Sequence, residues 1–178
     1  MDYTIGLRKG YIMLNILLVE DSDTDAEMIK RALEKHMKTA AIVHAGTISA
    51  AERLLSEQAF NAVILDLGLP DSTGPADTYA RIAKAAEKTP VIISTNINDP
   101  IFMKAMANRG ADAYLNKDMI AFKPDQIRNA ITFAMERHDQ LRKAFNEKEA
   151  AQKEAEDKDA MLNYLMGGYS VTNKPYQP

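Results

Sequence analysis

The chain has 178 residues, enough for one domain of ordinary size and an appendage. Hydrophobic residues make up 46% and charged residues 26%, a globular composition, and the formal charge of −3 gives no electrostatic reason to expect nucleic acid or an anionic membrane as partner. The lack of Cys excludes disulfides, thiol catalysis and thiolate-bound zinc, and the few scattered His argue against a His-based metal site.

No apolar run approaches the ~18 residues of a spanning helix. Arg8-Lys9 before Tyr11 to Val19 imitates a signal peptide. Yet Asn15 interrupts the apolar stretch, and Glu20-Asp21 stand where a small-residue cleavage site belongs. A soluble, cytoplasmic protein is expected. Residues 1–13 read as an N-terminal extension, with Met13 an alternative start. Leu14 to Val19 is then an apolar run of strand length, ended by acid. Asp23 or Thr24 is expected to cap a helix carrying Met28, Ile29, Ala32 and Leu33 at helical spacing. Ala41 to His44 reads as a second strand, and Thr47 as the cap of a helix bearing Ile48, Ala51, Leu54 and Leu55. Ala62 to Leu65 is a third strand, ending at Asp66. Leu69 to Gly74 is turn chemistry, followed by a helix around Ala76 to Glu87. Pro90 opens a fourth strand, Val91 to Ser94. Asp99-Pro100 opens a fourth helix, with Pro at its first position, and Gly110 ends it. Ala113 to Leu115 is a fifth strand, and Lys123-Pro124 is expected to open a fifth helix.

Strand and helix thus alternate, and the strands are continuously apolar, as strands covered on both faces must be. The pattern predicts an α/β fold: a parallel sheet with helices on both sides. Ligands in such folds sit at the carboxyl ends of the strands. There the sequence places Glu20 and Asp21, Asp66, Ser94 and Thr95, and Lys117. Neighbouring carboxylates repel one another unless a cation lies among them. An oxygen-rich set without His or Cys suits a hard ion, Mg2+ above others. A carboxylate can act as nucleophile and form an aspartyl-phosphate, with a metal, a Lys and a hydroxyl stabilising charge in transfer.

Four stretches in order carry a resemblance: Ile16 to Asp21 (ILLVED), Val63 to Asp71 (VILDLGLPD) with Gly74, Pro90 to Thr95 (PVIIST), and Gly110 to Lys117 (GADAYLNK). Over residues 14–135 the chain resembles the receiver domain of two-component response regulators. The resemblance implies a flavodoxin-like, doubly wound five-stranded parallel sheet of order 2-1-3-4-5. It implies that Asp66 takes a phosphoryl group from a histidine kinase or histidine phosphotransfer protein, with Mg2+ as cofactor. Glu20 (through water), Asp21, Asp66 and the Gly68 carbonyl would hold the metal. Thr95 and Lys117 would bind phosphoryl oxygens, and Thr95 with Tyr114 would form the switch. Such a phosphoacceptor catalyses its own phosphorylation and dephosphorylation and is not a turnover enzyme. Its readout surface would be the fourth helix (Phe102, Met103, Met106), the fifth strand and the fifth helix, meeting a downstream protein target or a second copy.

The sequence departs from the family pattern in places. Asp118 follows Lys117 where Pro is usual, and Asn96 follows Thr95 where a small residue is common. Gly68 and Ile97 occupy the positions that tune dephosphorylation, and neither can orient an attacking water, so a long-lived phosphoryl group is expected. Glu20 replaces the more frequent Asp. His44 is read as packing, and His36 and His138 as solvated.

After Pro124 there is neither Pro nor Gly up to Met166, and strong helix formers dominate. At 1.5 Å per residue that helix would reach roughly 60 Å. Residues 136–166 therefore read as a helical extension with a coiled-coil pattern, and 167–178 as a flexible tail. A heptad frame puts Leu141, Lys148, Ala155 and Leu162 at a, with Ala144, Ala151, Lys158 and Leu165 at d. Isolated helices are marginal in water, which favours a partner helix. The residues after the receiver region lack a helix-turn-helix pattern and their charges nearly cancel, so a DNA-binding output is not expected. The alternatives are the receiver portion of a larger hybrid kinase or signalling enzyme, a degenerate receiver that takes no phosphate, and a phosphatase of the haloacid dehalogenase type built on Asp21-Ser22-Asp23. The last wants Thr or Val where Asp25 stands and leaves Asp66 without a role.

Overall fold

The computed structural model describes residues 7–8, 11–97 and 99–167. Of the proposed extension, Leu7–Arg8 and Tyr11–Ile12 pair as a short antiparallel ladder that the sequence did not suggest. The rest of residues 1–10 and the proposed tail from 168 onward lie outside the described residues.

The main sheet is built from β1 (Leu14–Val19), β2 (Ala40–Ala45), β3 (Ala62–Leu65), β4 (Val91–Thr95) and β5 (Ala113–Asn116). All neighbours are parallel, in the order β2-β1-β3-β4-β5. This is the expected flavodoxin-like arrangement. The helices are α1 (Asp23–His36), α2 (Ile48–Glu57), α3 (Pro75–Ala85), α4 (Pro100–Asn108), α5 (Lys117–Phe122) and α6 (Gln126–Gly167).

Side chains alternate across the strands and separate into two cores. Leu17, Val19, Val63, Leu65 and Ile93 pack with Ile48, Ala51, Tyr79, Ile82 and Met106, so α2, α3 and α4 cover one face. Ile16, Leu18, Ile64 and Ile92 pack with Ile29, Leu33, Ile120, Ile127 and Ile131, so α1, α5 and the start of α6 cover the other. Ile16 to Val19 have no exposed surface. Each such side chain contributes about 1.5–3 kcal/mol relative to exposure.

The helix starts carry local signals. Ser22, not Asp23 or Thr24, caps α1: its side chain accepts from the Asp25 amide. Asp23 and Asp25 therefore fall in the first turn, where acid favours the helix dipole. Thr47 caps α2 and Asp99 caps α4 as expected. Gly110, at φ 103°, supplies the positive-φ residue after α4.

The fifth helix departs from expectation. Instead of a loop running to Lys123-Pro124, the chain turns directly into α5 at Lys117, capped by Asn116, and the long helix starts at Gln126. Ile120 of α5 is buried in the second core, which explains why so short a helix forms. Arg137 donates to the carbonyls of Ala111 and Asp112 at 2.7 and 3.0 Å, fastening the first part of α6 to the strand-entry end of the sheet. His138 is not simply solvated: its Nδ1 lies 3.3 Å from Asp112 Oδ1. Nor is His36, whose Nε2 is buried without a partner among the described residues.

Helix α6 spans 42 residues and passes from one compact unit, ending at His138, into a second beginning at Asp139. In the second unit Asp139 pairs with Arg142 at 3.0 Å and with Lys143 at 2.9 Å. Leu141, Phe145, Met161, Tyr164 and Leu165 are exposed there. No described helix is long and apolar enough to cross a membrane.

Candidate functional site at the carboxyl edge of the sheet

The hydrogen-bond ladder of the sheet runs on past its strands and fixes the backbone of the site. The Glu20 amide donates to the Ala45 carbonyl and the Asp66 amide to the Val19 carbonyl, both at 2.9 Å. Parallel register therefore brings the ends of β1 and β3 side by side. One carboxylate oxygen from each of Glu20, Asp21 and Asp66 falls within 4.8 Å of the others. Glu20 and Asp66 are buried and Asp21 is exposed, so the cluster opens to solvent on one side.

Lys117, at the junction of β5 and α5, reaches into this acid. Its Nζ lies 2.7 Å from Glu20 Oε2, 2.9 Å from Asp25 Oδ2 and 3.0 Å from Asp66 Oδ1. An ammonium has three protons, and three carboxylates take them. Burial opposes the charge, but the bonds to Glu20, Asp25 and Asp66 outweigh it and raise the Lys117 pKa. Burial also pushes Glu20 above the usual carboxylate range, against the pull of Lys117 and with added repulsion from Asp66. The cluster carries more acid than one lysine balances. That excess, made only of carboxylate oxygens, fits a hard divalent cation.

Asp66 Oδ2 accepts from the Gly68 amide at 2.7 Å, which aims the carboxylate. A Cβ at residue 68 would stand 3.1 Å from that oxygen. The loop beyond is held from two sides. Thr78 Oγ1, fully buried, lies 2.6 Å from Ser72 Oγ and 3.1 Å from the Leu67 carbonyl. Asp71, within the stretch read as turn chemistry, caps α2 from across the fold: it accepts from the Ile48 and Ser49 amides at 2.8 and 2.9 Å. Arg81 donates to the Asp71 carbonyl at 3.0 Å and pairs with Glu52.

An open cleft of about 500 Å³ lies over Asp66, lined also by Gly68, Thr73, Thr95, Ile97 and Lys117. Thr95 is 6% exposed, and its Oγ1 accepts from the Ile97 amide at 3.2 Å. Ser94 Oγ is buried without a partner among the described residues, so Thr95 is the strand-end hydroxyl that borders the cleft. Tyr114 is half-buried, and its hydroxyl donates to the Ile97 carbonyl at 2.6 Å. Burial raises the Tyr114 pKa, against a hydrogen bond with Thr95. Asn96 borders the cleft and is exposed, as is Asp118.

Every residue singled out at the strand ends except Ser94 thus meets at this edge. Asp25 was missed as a site residue. The available signal was only its place in the first turn of the helix that begins directly after Asp21, which keeps it near the same end of the sheet; its pairing with Lys117 comes from the tertiary structure. Asp23 is exposed and outside the acidic cluster, which leaves the phosphatase alternative without its second acid.

The chain is similar in structure to several solved receiver domains. A response regulator receiver domain protein from Clostridium thermocellum is 25% identical, over 72% of this chain and 98% of that one, with a TM-score of 0.60. The signal receiver domain of a signal transduction histidine kinase from Syntrophus aciditrophicus is 25% identical, over 69% and 90%, with a TM-score of 0.57. The signal receiver domain of an HD domain-containing protein from Pseudomonas fluorescens Pf-5, at 22% identity over 77% and 97% with a TM-score of 0.62, shares the fold. No curated protein matches the chain. The family profile described as response regulator receiver domain matches residues 16–132, which hold the five strands except the first two residues of β1, together with the acidic cluster and Lys117, and the chain belongs to that family.

Proposed function

We propose that Asp66 is the phosphoacceptor of this receiver and that Mg2+ is its cation. As a receiver domain the chain accepts a phosphoryl group and relays a signal; it is not a turnover enzyme. Its family interacts with histidine kinases or histidine phosphotransfer proteins. The observation that carries the assignment is Lys117 Nζ at 3.0 Å from Asp66 Oδ1 beside a carboxylate cluster within 4.8 Å.

Glu20, Asp21, Asp66 and the Gly68 carbonyl would hold the cation, which would neutralise charge on the transferring group. Asp66 attacks phosphorus through a carboxylate oxygen, and the bond from phosphorus to the donor breaks with its electron pair leaving on the donor. Lys117 and Thr95 then bind phosphoryl oxygens, Lys117 exchanging its contact with Asp66 for one with the new group. Thr95 and Tyr114 form the switch. The Tyr114 bond to the Ile97 carbonyl marks one of its two positions, and phosphorylation shifts the population between them.

The readout face is α4, β5 and the helices that follow. Met106, expected on this face, is instead 3% exposed and belongs to the core, whereas Ile101 is 80% exposed. A groove of about 210 Å³ on this face is lined by Met103, Tyr114, Asn116, Met119 and Gln126. The helical unit from Asp139 pairs with a partner helix through Leu141, Phe145, Met161 and Leu165, in a homodimer or with a downstream protein.

The test is labelling by a small phosphodonor such as acetyl phosphate with Mg2+. One phosphoryl group per chain, lost in Asp66→Asn and kept in Asp23→Asn, supports the assignment. Labelling that survives Asp66→Asn overturns it.

A further inference from the structure

We infer that Asp25 is a positioning residue for phosphoryl transfer: it anchors Lys117 when the other two carboxylates are drawn to the cation. The inference rests on the receiver assignment above and deepens it.

Lys117 Nζ has three carboxylate partners, at 2.7 Å in Glu20, 2.9 Å in Asp25 and 3.0 Å in Asp66. Two of these, Glu20 and Asp66, belong to the group whose oxygens converge on a candidate cation position; Asp25 does not. A divalent ion therefore competes with Lys117 for Glu20 and Asp66. Phosphorylation of Asp66 then removes the third contact altogether. Through both events Asp25 alone keeps a full carboxylate on the ammonium.

The fold holds Asp25 for this task. Its amide is fixed by the Ser22 side chain at 3.3 Å, in the first turn of α1, and its carboxylate is one-third exposed while Lys117 is 7% exposed. The nearly buried cation is thus tied to a half-open anion on a separate element, 92 residues away in sequence. Without Asp25, the flexible four-carbon arm of Lys117 loses its fixed aim toward the phosphoryl oxygens. Misplacement of a charge-stabilising group by about 1 Å costs up to roughly a hundredfold in rate.

The experiment measures labelling of the full chain by acetyl phosphate across Mg2+ and donor concentrations. In Asp25→Ala the maximal labelling rate should fall roughly tenfold or more, with the half-saturating Mg2+ and donor concentrations unchanged. Asp25→Asn keeps an acceptor oxygen for Lys117 and should recover most of the rate. Asp23→Ala removes an acid from the same first turn and should label at the parent rate, which separates anchoring from loss of helix-dipole charge. Circular dichroism checks that each variant is folded.

An unchanged or faster maximal rate in Asp25→Ala overturns the inference while leaving Asp66 as phosphoacceptor. So does a loss that appears only as weaker Mg2+ binding. Should Asp25→Ala fail to fold, Asp25→Leu, close to Asp25→Asn in size but without an acceptor oxygen, takes its place: a maximal rate at least tenfold below that of Asp25→Asn at unchanged Mg2+ dependence supports anchoring, and equal rates in the two overturn it. If the unaltered chain takes no label at all, both this inference and the receiver chemistry fall together.

Discussion

Replacing Lys117 with Met tests the electrostatics of the site through stability alone. Methionine keeps the length and apolar stem of lysine and deletes its charge. Lys117 and Glu20 side chains are 8% and 1% exposed, and Asp66 is 10% exposed, so the deletion strands buried anions rather than surface ones. Removing one partner of a buried pair typically costs about 3–5 kcal/mol, because the remaining charge stays desolvated. For a chain of this size that is a fall in Tm on the order of 10 °C in chelator-treated buffer. The pH dependence has a defined sign. Burial already raises the Glu20 pKa above 4.5, so the folded state holds a proton there that the unfolded state has released, and stability falls as pH rises through that window. Without Lys117 the fall should be steeper, and the variant should approach the parent near the bottom of the window. Mg2+ should then replace the missing cation: at ~100 times its dissociation constant it returns about 2.7 kcal/mol. Thermal melts followed by circular dichroism, with and without Mg2+ at neutral and acid pH, read all three effects. A Lys117→Met variant that melts within about 2 °C of the parent at neutral pH without metal would show that the carboxylates are not buried charges held by this lysine.

Gly68 and Ile97 border the cleft and neither can orient water, so the phosphoryl group on Asp66 should be long-lived. Gly68→Asn places a Cβ 3.1 Å from Asp66 Oδ2 and an amide beyond it, and should shorten the half-life of labelled protein roughly tenfold; an unchanged decay rate contradicts this. Asp71→Ala removes acceptors from the Ile48 and Ser49 amides and should cost about 1–2 kcal/mol in urea unfolding. Burial would raise the Asp71 pKa, but those amides outweigh it and lower the pKa, so the contribution is present above 3.8 and is lost as pH falls below that value. An Asp71→Ala deficit that persists undiminished at the acid end contradicts the cap. Beryllofluoride with Mg2+ should change the solution mass of the parent if phosphorylation governs helix pairing, and Leu141→Lys with Leu165→Lys should abolish that change; a mass indifferent to beryllofluoride refutes the pairing.

The alternation of short apolar runs with capped helices made the sheet legible residue by residue. Leu14–Val19 and Ala62–Leu65 are strands with the bounds that their apolar runs predicted, because strands covered on both faces admit few polar residues. Glu20, Asp21, Asp66, Thr95 and Lys117 were readable for the same reason: a polar residue that ends a buried strand marks the edge of the sheet. Three features were not readable. The cap of α1 fell on Ser22, one residue before the two expected candidates, Asp23 and Thr24, since the choice among adjacent Ser, Asp and Thr depends on where the chain leaves the sheet. Helix α5 was hidden because six residues carry too little periodicity to distinguish a helix from a loop, and the burial of Ile120 decides it. Met106, which the family resemblance put on the readout surface, turns inward because α4 packs that side against the first core.

Sequence alone therefore determined the order of the five strands and of the four helices between them, and placed Glu20, Asp21 and Asp66 at the sheet edge, since these follow from local hydrophobic patterning and chain order. Only the tertiary structure decided that Asp25 of α1 meets Lys117, that Asp71 caps α2, and that His138 bonds to Asp112. Each of these joins residues more than twenty positions apart, and such pairings depend on how helices rotate and settle on the sheet to fill its two cores, a quantity that no local spacing encodes.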